Sequence, residues 1–252
     1  MPRSVLTAFA AIFAFSSLAS NCHADTINIV SSRDNTLYED ASGSLSNGAG
    51  QFLFAGRTFQ GGEDLRRGLI YFDLSGIPTG ATITSVTLTM NMSRTISGAA
   101  NVALHSVNTD WGEGTSNAGG QEGGGAASTA GDATWIHNFF PGSNWATAGG
   151  DFVAGASATT SVNAIGSYNW SSATMISDVQ GWADNSATNF GWIVIGNEST
   201  AGSAKRFDTH EHPTVANRPT LVIEFTPVPE PSSIGFCAMM ATCLLLVPRR
   251  KR

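Results

Sequence analysis

Arg66-Arg67-Gly68-Leu69-Ile70-Tyr71-Phe72-Asp73-Leu74, then Ser75-Gly76-Ile77-Pro78-Thr79-Gly80, then the run Thr82–Ser93 decide the fold class of this chain. The first piece is apolar at odd and even positions alike, which predicts a strand buried on both faces in the middle of a sheet. The Gly- and Pro-containing second piece breaks it. In the third, Val86, Leu88, Met90 and Met92 alternate with Thr87, Thr89 and Asn91. That period of two predicts one long strand with a single buried face. Ile83 falls on the opposite parity, so a bulge or bend is expected near Ser85.

Working outward, Thr26–Val30, Gln51–Ala55, Val102–Val107, Gly191–Gly196 and Pro219–Thr226 read as further strands. One helix is expected, Ser171–Ala183. Ser171 or Ser172 caps it, Met175, Val179 and Trp182 share its buried side, and Asp178 lies on the exposed side. A long Gly-rich excursion runs from Asp110-Trp111 to Thr134-Trp135, and its centre, Gly119–Gly125, has few side chains to pack and is expected to be mobile. Short strands, abundant Gly and Thr, and a single helix predict an all-β fold, a jelly-roll-like β-sandwich with one short helix.

The two ends have a different character. Pro2-Arg3 and the apolar run Val5–Leu18 have the form of a signal peptide, with cleavage expected after Ala24. At the other end, Val228-Pro229-Glu230-Pro231 leads into a short apolar run, 234–247, and then Arg249-Arg250-Lys251-Arg252. At about 1.5 Å per helical residue that run is roughly 21 Å long, short of a hydrocarbon core of about 30 Å. It spans with thinning or with its basic end snorkelling, and the cations keep that end cytoplasmic. The expected division is therefore a signal peptide at 1–24, a β-domain at 25–227 and a membrane-inserting tail at 228–252. The tail closely resembles the PEP-CTERM sorting signal of Gram-negative bacteria, with motif 228–231, transmembrane segment 234–247 and basic tail 249–252. The leader implies processing by signal peptidase, and the resemblance of the tail implies processing by an exosortase, transient residence in the inner membrane, and delivery to the cell surface or extracellular matrix.

Composition bounds the partners. Of 19 acidic residues only Glu230 lies outside 25–227, and of 13 basic ones five do, leaving 18 carboxylates against 8 cations. A net charge near −10 argues against nucleic acid as a partner. Cys22, Cys237 and Cys243 all fall in the ends, so the β-domain has neither disulfide nor thiol nucleophile, and its stability must come from a hydrophobic core.

Chemistry-bearing residues are sparse. Asp34, Glu39 and Asp40 sit in an oxygen-rich stretch of the kind that wraps Ca2+. His210 and His212 flank Glu211, and on a strand they would share a face as ligands for zinc or copper, although Pro213 marks a strand end. Trp135 and Trp145 lie in loop-like sequence and are candidates for stacking on sugar rings, whereas Trp111, Trp182 and Trp192 suit the core. Gly123-Gly124-Gly125 is no phosphate cradle, because the Lys and the helix of a P-loop are missing. No nucleophile elbow or diagnostic carboxylate pair occurs.

Leu69–Leu74, Ile77–Ile83, Val86-Thr87-Leu88, Asp110-Trp111-Gly112-Glu113, Asp178–Trp182, Asn189-Phe190-Gly191, Arg206–Glu211 and Arg218–Leu221 resemble DNRLRE-type domains. That family usually has Ser-Arg-Glu where this chain has Thr209-His210-Glu211. The resemblance implies a jelly-roll module similar to the carbohydrate-binding modules of bacterial polysaccharide-degrading enzymes. The expectation is an exported, non-enzymatic protein associating with extracellular polysaccharide. The alternatives are a structural or adhesive surface protein stiffened by Ca2+, and a polysaccharide hydrolase or lyase.

Overall fold

The computed structural model describes residues 23–228. In chain order the first strands are β1 (Asp25–Val30), β2 (Arg33–Tyr38), β3 (Leu45–Ser46), β4 (Phe52–Arg57), β5 (Leu65–Tyr71), β6 (Thr82–Thr95), β7 (Ala100–Ser106) and β8 (Ala126–Ala127). Then follow β9 (His137–Phe139), β10 (Ser143–Asn144), β11 (Ala158–Val162), β12 (Gly166–Trp170) and the helix α1 (Ala173–Asp184). β13 (Trp192–Ile195), β14 (Lys205–Asp208) and β15 (Thr220–Thr226) complete the set, all within one unit, Ala24–Val228. The fold is thus mainly β, as the sequence predicts.

The alternation in β6 has the expected effect. Val86, Leu88, Met90 and Met92 are all buried, and Ile83 is buried with them. The parity break is resolved where β15 pairs: Glu224 lies opposite Ser85 but Phe225 opposite Ile83, so Thr84 is an extra residue and the strand is bulged there. β5 is central, with β2 on one side and β4 and β13 on the other. Its two faces serve two different cores, Ile70 in one and Leu69 in the other.

The main sheet follows the order β1-β15-β6-β14-β4-β5-β13-β7-β11, with β12 added to β6 and β2 to β5. It is antiparallel and curled. β4 pairs with β14 through Phe52–Ala55 and with β5 through Gly56–Arg57, so one strand passes from one half of the sheet to the other. The two halves face each other in a sandwich-like arrangement over the larger core. Met90, Leu221, Ile223 and Phe207 come from one half, and Ile70, Leu104, Trp192 and Val194 from the other. Trp170 closes the first half edge-to-face on Phe207, with its Nε1–H donated to the Val102 carbonyl. α1 lays Met175, Val179 and Trp182 on the same core, with Ser172 as N-cap accepting from the Met175 amide. Asp178 differs from expectation: its Oδ2 accepts from the buried indole of Trp192 at 2.9 Å and from Ser157.

The second core explains the long excursion. Leu37, Leu69 and Ile193 point away from the main core and are covered by Trp111, Ala133, Trp135 and Trp145. The excursion is therefore a third layer, held by its indoles. The Gly-rich centre is tied down as well. Glu122 is buried at φ 63°, and its carboxylate accepts from Asn47 Nδ2 and from the amides of Gln51 and Phe52. Tyr38 donates to the Glu122 carbonyl and Arg66 to that of Gly123. Gln121 accepts from Arg94 and Arg206. Few side chains suffice here because those present meet donors that the strand ends leave unpaired.

Apart from their innermost residues, the signal peptide and the tail with Val228-Pro229-Glu230-Pro231 and Arg249-Arg250-Lys251-Arg252 lie outside the described residues. Among the described residues, no helix is long and apolar enough to cross a membrane.

Candidate functional site

Polar residues buried in β2 create the first requirement of the site. Asp34, Asn35 and Thr36 are each at most 1% exposed, so their polar atoms need partners inside the protein. Asn35 is fully used: its amide donates to Ser46 and to the carbonyls of Glu113 and Ala133, and its oxygen accepts from Asn47. Asp34 is only half used. Its Oδ2 accepts from the His210 amide and ring Nδ1, each at 2.9 Å, while its buried Oδ1 has no partner.

His210 reaches Asp34 because the chain is pinned just before it. Thr209 donates its amide to Gln51 and its hydroxyl to Gly50, which fixes the exit from β14. Glu113 arrives from the start of the excursion, where the indole of Trp111 donates to the Phe190 carbonyl. Glu113 Oε1 accepts the Asp34 amide at 2.8 Å and lies 3.6 Å from His210 Nδ1. Gly48 allows this approach, since a Cβ there would stand 1.6 Å from the Glu113 carbonyl oxygen. Glu211 closes the group, with Oε1 2.8 Å from His210 Nε2 and a second, buried oxygen unpartnered. Asp34, Glu113, His210 and Glu211 thus offer ligating atoms that all lie within 4.8 Å of one another.

The electrostatics follow from crowding three carboxylates around one imidazole. Burial pushes the Asp34 carboxyl up to about 6, against the hydrogen bond from His210. Burial likewise pushes Glu113 up to about 7, opposed by the Asp34 amide and by His210. For His210, burial works against the charged form, but hydrogen bonds to Asp34 and Glu211 outweigh it and raise the ring to about 10. At neutral pH the ring is an imidazolium donating from both nitrogens. Held that way it serves neither as a general base nor as a ligand until one proton leaves.

The expected sites are rearranged. Asp34 does not join Glu39 and Asp40. Asp34 lies in β2, Glu39 accepts the Leu65 amide from β5, and Asp40 is taken by the hydroxyls and amides of Ser42 and Ser44, so the three carboxylates expected to wrap Ca2+ each meet different partners. These bonds outweigh the effect of burial and hold the Asp40 carboxyl at about 2. His210 and His212 do not form a pair of ligands either. His212 Nε2 is 3.8 Å from Asp208, its ring packs on Phe52, and it stands outside the four-residue group. Trp135 and Trp145 are 9% and 5% exposed. Trp135 lies under the Arg67 guanidinium and Trp145 donates to the Thr134 carbonyl, so neither shows a sugar an open ring face. Their loop-like surroundings in sequence hide a core position that exists only once the excursion folds back.

What opens beside them is a polar cleft of about 620 Å3, lined by Arg67, Asn108, Thr109, Asp151 and Phe152 among others. Arg67 is bound to Glu198 through two nitrogens and to the Gly149 carbonyl through a third, and Asp151 accepts the amides of Ala146 and Thr147. Asn108 is exposed.

No protein-family model matches this chain, and the comparison with curated proteins gives no match.

Proposed function

We propose that this chain is an exported, non-catalytic surface protein. A leader is removed at 1–24, a jelly-roll domain at 25–227 is the cargo, and the tail at 228–252 is a sorting segment processed by an exosortase. The cargo is left at the cell surface or in the extracellular matrix, where it associates with polysaccharide. The observation that carries this reading is the sequence of the tail: Val228-Pro229-Glu230-Pro231, a short apolar run and four cations, in that succession, behind an acidic domain without cysteine. It agrees with the last described residues: β15 ends at Thr226 and Val228 is 56% exposed.

Trp135 and Trp145 being buried, the polar cleft is the surface assigned to glycan. Asn108 offers amide donors and an acceptor, and Phe152 a half-buried ring, which is the mixture sugar hydroxyls and sugar faces require. In affinity electrophoresis through gels containing bacterial polysaccharides, the protein should be retarded. Asn108→Ala and Phe152→Ala should each relieve the retardation without loss of secondary structure. Equal mobility with and without every polysaccharide of the panel, or retardation unchanged in both variants, contradicts this assignment.

A further inference from the structure

We propose that Asp34, Glu113, His210 and Glu211 hold one small divalent transition ion of the Mn2+ or Zn2+ class. The inference stands apart from the export and glycan readings, since it needs only the folded domain.

Two independent observations carry it. The first is geometric: the four ligating atoms lie within 4.8 Å of one another, and metal–ligand bonds of about 2.0–2.2 Å place ligands roughly 3–4.4 Å apart. The second is an unmet need. Asp34 is fully buried and its Oδ1 has no donor, and Glu211 Oε2 is likewise buried and unpartnered. A buried polar atom left in this state costs about 1–3 kcal/mol, more when charged. His210 cannot relieve it, because its two ring donors are already spent on Asp34 Oδ2 and Glu211 Oε1. A cation satisfies several oxygens at once, and it offsets the excess of three carboxylates over one imidazole.

The support is rigid and the site is reachable. Asp34 lies in a paired strand, its amide is bonded by Glu113, and the Glu113 carbonyl is bonded in turn by Asn35. The side chains of Glu113, His210 and Glu211 are 23–24% exposed, which leaves an approach from solvent. The ion replaces one proton between imidazole and carboxylate: the ring nitrogen loses N–H, gives its lone pair to the metal, and the proton goes to water. One nitrogen with three carboxylates suits Mn2+ or Zn2+, whereas Ca2+ takes six to eight oxygens.

The test is a Mn2+ titration of the purified, EDTA-treated full chain, followed by the loss of the free-ion EPR signal. Mn2+ is chosen because the thiols of Cys22, Cys237 and Cys243 are poor ligands for it. One saturable site per chain is expected, from which Zn2+ displaces Mn2+ and Ca2+ does so poorly. Asp34→Asn and His210→Arg should each weaken binding at least about 100-fold. His212→Ala should leave it unchanged. His210→Arg guards against simple unfolding: its guanidinium donates to the same carboxylates, so its Tm in EDTA should match or exceed that of the parent. Absence of a saturable site, binding that survives His210→Arg, or displacement by Ca2+ in preference to Zn2+ would overturn the proposal.

Discussion

Replacing Trp192 by Ala should lower stability by about 4 kcal/mol, a fall of roughly 10 °C in Tm. The ring is fully buried where α1 meets the second half of the sheet. It packs edge-on to Trp182 at 4.7 Å and to Phe72 at 6.3 Å between centroids. Its Nε1–H is one of two donors to Asp178 Oδ2. The substitution therefore opens a cavity and strips a half-buried carboxylate of a partner in one step. Trp192→Phe keeps most of the packing and should lose less than half as much. Urea titrations of the three proteins check this. A loss below about 1 kcal/mol for the Ala variant would mean that the helix does not depend on this ring.

Glu122→Ala should cost about 3 kcal/mol and make the segment 112–131 the first site of proteolysis. Three donors, Asn47 Nδ2 and the amides of Gln51 and Phe52, lose their acceptor together. The backbone conformation separates a second contribution. Glu122 sits at φ 63°, where Gly is relaxed and Ala is not. Glu122→Gly should therefore be the milder variant by about 1 kcal/mol, although it removes the same carboxylate. Limited proteolysis with mapped cut sites, beside denaturant titrations, reads both effects. Equal stability of parent and Ala variant would show that the excursion is held by its tryptophans alone.

The elements legible in the sequence are those whose burial is apolar and periodic. β6 announced its buried face through Val86, Leu88, Met90 and Met92, and even its bulge through the displaced Ile83. α1 announced itself through Met175, Val179 and Trp182 behind Ser172. β2 did not, because Asp34, Asn35 and Thr36 are buried as polar residues, and no period distinguishes a satisfied core carboxylate from a solvated loop. β12 and β14 are short and carry Gly, Ser, Asn, Lys and Arg, so their place depends on pairing with β6. In β14, Lys205 is wholly buried, its ammonium held by Thr95, Ser97 and Gly98. The burial of Trp135 and Trp145 is hidden in the sequence for a related reason: the second core exists only after the excursion covers β5 and β13.

The candidate site was legible in fragments. Local spacing groups Asp34 with Glu39 and Asp40, and His210 with His212, whereas the fold sets Asp34 and His210 beside Glu113 and Glu211. The true neighbours lie 176 and 79 positions from Asp34, joined by strand pairing and by the anchor of Trp111. One signal was present. Asp110-Trp111-Gly112-Glu113 couples a large core ring to a carboxylate two residues later, which carries that carboxylate wherever the ring is buried.

Mass spectrometry of the mature protein, taken from its own cell envelope, tests the proposed role most directly. The expected mature chain begins at Asp25, lacks the apolar run 234–247 and the basic end 249–252, and is recovered from the surface or matrix fraction. Recovery of the uncut chain, Met1 through Arg252, as a soluble cytosolic protein would contradict it.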